Sequence, residues 1–312
     1  DFGGNMQLVF YDDFKFGALK GDAVVDLTAA VSGIQHTSPQ DLLNKVIENF
    51  SDHKAGLEAA ISSGTGVALD SVRLRSPLPH PTIVAMAVNY MEDGTRAAPA
   101  PINAFQKSPN AVIGNGDTMI LPDVPATIFE GEAEMAIVIG KRMSNISPDN
   151  AFDHIFGYVN FIDGSARGLE PPGNTFYQMK SRETFAPMGP VIVTKDEISD
   201  VDNLQIRLWV NEELKQNFNT SDMAHKIPRI MEWVSSIHTM EPGDVLATGT
   251  NHRGLSAFQD GDKIDLEVEG LGTLHFNVQD DLKRTWARDT RLDMANKGQE
   301  GTTPQISGKY AK

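Results

Sequence analysis

Short runs of aliphatic and β-branched residues, separated by Gly, Pro, Asn and Asp, recur along most of this chain. Runs of this length bounded by turn-forming residues are typical of β-strands. We predict strands over residues 6–11, 23–27, 82–88, 118–121, 133–139, 191–194, 204–210, 245–248, 263–268 and 273–278.

Helical periodicity is rarer. Ser38 and Pro39 form a good helix start, with Ser as the N-cap and Pro in the first turn. Apolar residues follow at helical spacing: Leu42, Leu43, Val46 and Ile47. Further helices are predicted over residues 148–155 and about 225–237. Many strands and few helices favour a mixed, β-rich α+β fold of closed or rolled type over a doubly wound sheet.

A proline-rich stretch over residues 76–81 interrupts these patterns. We predict a small N-terminal α+β domain over residues 1–76 and a main, β-rich domain over residues 77–287. The remaining residues, 288–312, are polar and contain several glycines. We expect this C-terminal tail to lie on the surface or on a neighbouring subunit.

The composition excludes several classes of protein and of active site. No run of about 18 apolar residues exists, which excludes a transmembrane helix. Residues 1–5 lack the pattern of a signal peptide, and we interpret them as a non-native remnant before a natural Met6. The absence of cysteine excludes disulfides, zinc–thiolate sites and thiol nucleophiles, and it fits a reducing cytoplasm.

The net charge of −15 disfavours nucleic acids and anionic membranes as partners, because phosphate binding needs clustered Lys and Arg. Its simplest role is solubility. An acidic surface does not attract an anionic substrate, so any acid that this protein binds requires local cations.

Three glutamates lead into one predicted strand. Because side chains alternate along a strand, Glu130, Glu132 and Glu134 share a face with Ala136 and Val138. The opposite face is apolar: Met135, Ile137 and Ile139. Three carboxylates entering a buried strand need a positive partner, and oxygen ligands favour Mg²⁺, Mn²⁺ or Ca²⁺. The alternative is an edge strand whose glutamates lie in water.

Three further segments carry polar residues beside apolar stretches. They are Gly157-Tyr158 followed by Asp163-x-Ser165-x-Arg167, Lys180-Ser181-Arg182-Glu183-Thr184-Phe185 followed by Pro187-x-Gly189-Pro190, and Glu241-Pro242-Gly243-Asp244 followed by Thr248-Gly249-Thr250. With the glutamate strand, they resemble the fumarylacetoacetate hydrolase superfamily. Asn89-Tyr90, residues 105–109 and residues 269–274 resemble further motifs of that family, in the right order over about residues 80–285.

The resemblance implies a β-sandwich roll for the main domain and one divalent ion, most simply Mg²⁺. Its register assigns the ion to Glu132, Glu134 and Asp163 rather than Glu130. Lys180 would match the family's active-site lysine.

The other polar positions would serve the substrate, a small 2-oxo or diketo acid. Thr250 would hold its carboxylate, Arg167 would lie near the site, and Tyr90 and Lys107 would contact it. The resemblance also implies a homodimer.

Chemically, this site suits hydrolysis of a C–C bond in an acylpyruvate-like acid, as in aromatic or sugar-acid catabolism. Such hydrolysis needs a base to activate water, and the family's His and Glu are replaced here by Asp93 and Arg96. His252 or Glu92 would then supply the base, with His225 a weaker candidate. Without water attack, the same site would support a dehydratase, isomerase or decarboxylase of a 2-oxo acid.

A third hypothesis is a catalytically inactive binding or scaffold protein. The retention of Glu132, Glu134, Asp163 and Lys180 argues against it.

Overall fold

Strands provide most of the regular structure in the computed structural model, which describes residues 6–173 and 175–312. In chain order they are β1 Gln7–Tyr11, β2 Lys15–Lys20, β3 Ala23–Asp26, β4 Val67–Ala68, β5 Leu74–Arg75, β6 Ile83–Met86, β7 Ala104–Lys107, β8 Val112–Ile113, β9 Thr118–Ile120, β10 Ile128–Ile139, β11 Ile155–Arg167, β12 Ala186–Thr194, β13 Gln205–Val210, β14 Glu213–Asn219, β15 Val245–Ala247, β16 Lys263–Val268, β17 Thr273–Gln279, β18 Thr285–Trp286 and β19 Gln305–Ser307. Every predicted strand coincides with one of these, but β10 begins at Ile128 and β12 at Ala186 rather than at residues 133 and 191. Residues 1–5, interpreted above as a remnant, lie outside the described residues.

The α-helices are α1 Pro39–Glu48, α2 Phe50–Ser63, α3 Phe176–Lys180, α4 Ile227–Ile237 and α5 Arg291–Asn296. Ser38 caps α1 as predicted, with its hydroxyl accepting from the Asp41 N–H. The helix predicted over residues 148–155 is a 3₁₀ helix, Pro148–His154. Helix α2 was missed because it buries only Phe50 and Leu57, too few for a stripe. Among the described residues, no helix has the length and apolar character to cross a membrane.

Two sheets form the layers of the fold. The larger has 12 strands, ordered β4-β3-β2-β1-β12-β11-β10-β15-β6-β7, with β5 paired to β1 and β8 to β12. The smaller has five strands, ordered β14-β13-β16-β17-β9. Strands β18 and β19 pair separately. This β-rich α+β architecture agrees with the predicted fold class.

The alternation predicted for β10 divides the apolar core in two. Met135, Ile137 and Ile139 belong to a cluster that includes residues of the five-stranded sheet and α4. Ala136 and Val138 belong to a second cluster that includes the buried faces of α1 and α2. All residues of β10 are buried, so the alternative of an exposed edge strand is wrong.

The N-terminal strands share the large sheet with the rest of the chain. Strand β1 pairs antiparallel with β12, placing Gln7 opposite Val193. The sheet therefore continues across the predicted boundary at residue 76, and the domain limits stay a prediction. The tail packs on its own chain, where the Arg291 N–H donates to the Leu255 carbonyl over 2.9 Å.

Candidate metal and catalytic site

The pairing of β10 with β11 collects the acidic side chains on one face. Glu132 lies opposite Asp163, and Glu130 lies opposite Ser165. Directly opposed residues of an antiparallel pair present their side chains on the same side. The Glu face of β10 and the Asp-x-Ser motif of β11 therefore meet because of strand register alone.

Glu132, Glu134 and Asp163 form the acidic cluster. Each offers a carboxylate oxygen, and these atoms lie within 4.8 Å of one another. The three residues are at most 4% exposed. Oε1 of Glu134 is buried and has no hydrogen-bond partner in the described part of the chain. The cluster thus presents an unsatisfied acceptor, which is costly unless a cation or donor meets it.

The Thr-Gly-Thr motif supports the cluster from β15. The Gly249 N–H donates to Oε2 of Glu134 over 3.2 Å. Gly249 has a φ of 97°, and a Cβ there would lie 2.9 Å from that of Asn89. Only glycine combines this left-handed backbone with so close an approach.

The hydroxyl of Thr250 is directed at β10. It donates to the Ala133 carbonyl over 2.7 Å and accepts from the Gln216 amide over 2.9 Å. Oε1 of Gln216 in turn accepts from the Ala133 N–H over 3.0 Å. The predicted contact of Thr250 with a substrate carboxylate stays a prediction. Sequence reasoning did not single out Gln216, because no local pattern marks it.

Two lysines pair with carboxylates of the cluster. Nζ of Lys180 lies 2.9 Å from Asp163, 3.3 Å from Glu132 and 2.7 Å from the Ser165 hydroxyl. Nζ of Lys107 lies 2.8 Å from Asp163 and also donates to the carbonyls of Gly164 and Lys180. Lys107 thus holds the Asp163 carboxylate through a buried ion pair.

The pKa values of the three carboxyl groups in the cluster shift in different directions. Burial, followed by the charges of Asp163 and Glu132, raises the pKa of Glu134 well above its usual range. Burial also raises the pKa of Asp163 despite Lys107 and Lys180. At Glu132 burial is outweighed by Lys180, and the pKa falls well below its usual range.

Glu130 is held apart from the cluster by two arginines. Nε of Arg167 donates to Glu130 over 2.5 Å, and its Nη2 donates to Glu132 over 2.7 Å. Arg291 donates to both oxygens of Glu130, over 2.6 and 3.2 Å. The predicted exclusion of Glu130 from the ion's ligands fits this arrangement, since both of its oxygens already accept charged hydrogen bonds.

His252 and Glu92 lie beside the cluster. Nδ1 of His252 is 2.7 Å from Oε1 of Glu92, and the His252 N–H donates to Oε2 over 2.8 Å. Nε2 of His252 lies 3.3 Å from Glu132. Burial lowers the pKa of His252, but Glu132 and Glu92 raise it above its usual value overall. A cation held by Glu132 would act in the opposite direction.

The remaining candidates occupy different positions. Tyr90 is fully buried, and its hydroxyl has no hydrogen-bond partner among the described residues. Burial, followed by the charge of Glu134, raises the pKa of Tyr90 well above the usual range. The ring of His225 binds the Ala100 carbonyl, and within the described residues it makes no hydrogen bond to the cluster. Asp93 pairs with Arg253 instead of joining a dyad.

The acidic cluster fits a divalent cation. It offers only oxygen ligands, the type preferred by Mg²⁺, Mn²⁺ and Ca²⁺. The unpartnered oxygen of Glu134 provides a coordination position. Burial, followed by the charges of Asp163 and Glu132, raises the pKa of Glu134, so its ionised form requires a further positive partner.

Comparison with known families agrees with this geometry. Residues 82–279 match the family described as Fumarylacetoacetate (FAA) hydrolase C-terminal. The match spans more than half of the chain, and this protein belongs to the fumarylacetoacetate hydrolase family. The resemblance inferred from the motifs is therefore confirmed.

Individual relatives include enzymes of different reactions. A maleylpyruvate hydrolase of Aquipseudomonas alcaligenes is 30% identical over 291 residues, covering 88% of this chain and 99% of its own. Oxaloacetate tautomerase YisK of Bacillus subtilis is 37% identical over 220 residues, covering 66% of this chain and 73% of its own. The crystal structure of maleylpyruvate hydrolase from Sphingobium sp. SYK-6, in complex with manganese(II) and pyruvate, is 32% identical with a TM-score of 0.80. That similarity covers 88% of this chain and 99% of the other.

Proposed function

We propose that this protein is a divalent-metal-dependent hydrolase that cleaves a C–C bond of an acylpyruvate-like diketo acid. The observation that carries the proposal is the His252–Glu92 pair, whose Nε2 faces Glu132 of the acidic cluster. Hydrolysis needs a base beside the metal ligands, and this pair supplies one although the family's usual positions hold Asp93 and Arg96.

Glu132, Glu134 and Asp163 would hold the ion, Mg²⁺ or Mn²⁺. When bound, the ion supplies Lewis acidity toward the oxygens of the 2-oxo acid. Lys180, whose ammonium group lies between Glu132 and Asp163, supplies a positive charge beside the developing enolate. Lys107 acts on the substrate only through Asp163.

The Glu92 carboxylate fixes the orientation of the imidazole by accepting from Nδ1. Nε2 of His252 then accepts a proton from water, whose oxygen attacks the carbonyl remote from the carboxylate. The C–C bond breaks, its electron pair forms the enolate of pyruvate, and the proton returns from His252 to carbon. One water is consumed and two acids are released.

Tyr90 and Arg167 would contact the substrate, whereas Thr250 would act through the backbone. The hydroxyl of Tyr90 has a donor to offer, since it has no partner among the described residues. Thr250 donates its hydroxyl to Ala133, so its contribution is to fix the neighbouring backbone. Arg167 presents a positive charge beside Glu132.

Product analysis tests the proposal. The protein loaded with Mn²⁺ or Mg²⁺ is incubated with an acylpyruvate and, separately, with oxaloacetate, and the products are identified by NMR. We expect pyruvate and a second acid from the acylpyruvate. Products that retain the carbon chain of both substrates would contradict the hydrolase assignment.

A tautomerase or isomerase is the second candidate. The similarity to oxaloacetate tautomerase YisK favours it, and the same His252 could move a proton between carbon and oxygen without water attack. Interconversion of the keto and enol forms of oxaloacetate, with no cleavage of acylpyruvate, would establish it instead.

A further inference from the structure

The C-terminal tail brings an additional arginine to the site, from outside the matched family region of residues 82–279. Arg291 is the first residue of α5, directly after the N-cap Thr290. A capping box between Thr290 and Asp293 fixes this turn. The Arg291 N–H donates to the Leu255 carbonyl over 2.9 Å, just beyond the turn that carries His252. The backbone of Arg291 is therefore anchored beside the site.

Glu130 joins the side chains of Arg291 and Arg167. Its Oε1 accepts from Nη2 of Arg291 over 2.6 Å and from Nε of Arg167 over 2.5 Å. Each guanidinium group has five N–H donors. Within residues 6–173 and 175–312, Nη1 of neither arginine makes a hydrogen bond to the protein. Both groups thus retain donors for another partner.

These arginines are more accessible than the carboxylates that they contact. Side-chain exposure is 19% for Arg167, 26% for Arg291 and 20% for His252, against 0% for Glu130 and 6% for Glu132. Arg167 and His252 both contact Glu132, and Arg167 and Arg291 both contact Glu130, so the three partly exposed side chains lie together at the opening of the acidic face to solvent. An anionic substrate that approached from this side would meet both guanidinium groups.

The unused donors at this opening suit an anion. Arg167 pairs with both Glu130 and Glu132, and Arg291 pairs with Glu130, yet both guanidinium groups keep N–H donors that no described residue accepts. Glu130 and Glu132 are two positions apart on β10, a separation of about 7 Å along a strand. Arg291, bound to Glu130, therefore lies about one short acyl chain from Glu132, and Arg167 bridges the two glutamates.

We propose that Arg291, together with Arg167, binds a second carboxylate at the far end of the substrate. Arg291 is then a specificity-determining residue that selects dicarboxylic 2-oxo acids over monocarboxylic ones of equal length. A planar guanidinium group is suited to this role because it binds carboxylates through two parallel hydrogen bonds. The inference rests on the proposed function for the placement of the 2-oxo end at the acidic cluster.

Calorimetric binding of two matched probes to the Mn²⁺-loaded protein tests this assignment. The probes are 2-oxoadipate and 2-oxohexanoate, which have the same chain length and differ in the second carboxylate. We expect the wild type to bind 2-oxoadipate about 10- to 100-fold more tightly, the range of a charge-assisted hydrogen bond. In Arg291→Gln the ratio should fall below about 3, with the affinity for 2-oxohexanoate nearly unchanged.

A purely structural role of Arg291 predicts another result. If Arg291 only neutralised Glu130, Arg291→Gln would weaken the binding of both probes equally, and that outcome overturns the proposal. Arg291→Lys keeps the charge at Glu130 and guards against misfolding of the glutamine variant; it should show an intermediate ratio. Arg288→Gln is the matched control, because Arg288 lies in the same tail but pairs with Asp262.

The binding measurement does not require turnover. A preference for 2-oxoadipate that depends on Arg291, without cleavage of any acylpyruvate, would support this inference and refute the hydrolase. Cleavage of acylpyruvates, together with equal affinity for both probes, would support the hydrolase and refute this inference.

Discussion

Nδ1 of His252 lies 2.7 Å from Oε1 of Glu92, although 160 positions separate the two residues. The second oxygen of Glu92 binds the backbone of His252, so one carboxylate holds both the ring and the turn that carries it. Glu92, Asp93 and Gly94 all have positive φ, at 57°, 56° and 83°. Non-glycine residues adopt this conformation at a cost, and such strain concentrates at functional sites.

Replacing His252 by Asn should lower kcat for the hydrolytic reaction by about 10²- to 10⁴-fold, the usual contribution of a general base. Glu92→Gln should lower it less, because the ring remains while its orientation is weakened. Steady-state kinetics on an acylpyruvate measures both effects. His225→Asn serves as the control, since the Ala100 carbonyl is the hydrogen-bond partner of that ring among the described residues. Equal activity of His252→Asn and wild type would remove His252 from the mechanism.

Metal binding should depend on Glu134 and not on Glu130. At an ion concentration 100 times Kd, Mn²⁺ should stabilise the wild type by about 2.7 kcal/mol, and thermal denaturation with and without EDTA measures this. Glu134→Gln should abolish the increment. Glu130→Gln should keep it, although its basal stability should fall because Arg167 and Arg291 lose a charged partner. Loss of the increment in Glu130→Gln would instead make Glu130 a ligand.

Asp244 should make stability pH-dependent. Burial, reinforced by the charge of Glu241, raises the pKa of Asp244 to about 6. Its folded-state pKa lies above the unfolded value, so the stabilisation is complete below about pH 4 and is lost as the pH rises through about 6. Asp244→Asn does not titrate and can still accept from the Glu241 N–H. As pH rises from 4 to 7, the free energy of unfolding of the variant should therefore increase relative to that of the wild type. The expected change is about 1–2 kcal/mol after discounting for partial exposure.

Urea denaturation at several pH values, with EDTA present, measures that difference. A stability difference that is the same at pH 4 and pH 7 would show that Asp244 is not the titrating group.

Gly131 leaves room for an aromatic ring behind the acidic face. A Cβ at this position would lie 2.2 Å from Cε2 of Phe258. Gly131→Ala should therefore lower the free energy of unfolding by about 1–3 kcal/mol, the typical cost of overpacking. Gly56→Ala is the matched control, because Gly56 lies inside α2 with nothing within 4 Å of its added Cβ. That substitution should raise stability by about 0.5–1 kcal/mol. Equal effects of both substitutions would contradict the packing argument.

The acidic cluster could be predicted from sequence because its geometry is local. The period of two on β10 puts Glu132 and Glu134 on one face, and the family motif supplied Asp163 as a third ligand. The two core clusters confirm the same alternation at Met135 and Ala136.

Other parts of the site depend on tertiary packing and left no local signal. Glu92 and His252 meet only through folding, so the sequence offered each as a separate candidate for the base. Arg291 lies in a polar tail that was expected at the surface or on a neighbouring subunit, yet its side chain reaches Glu130 on β10 of the same chain. Helix α5 was not predicted either, because a helix of this length provides no apolar stripe.

Gln216 of β14 is bound at both ends of its amide. Its oxygen accepts from the Ala133 N–H on β10, and its nitrogen donates to Thr250 and to the Asn251 carbonyl. One buried side chain of the five-stranded sheet therefore ties that sheet to β10 of the larger sheet and to the loop that follows β15. Detaching the small sheet would break all three bonds together, so the Ala133 amide should exchange with solvent only in openings that also dismantle the cluster of carboxylates.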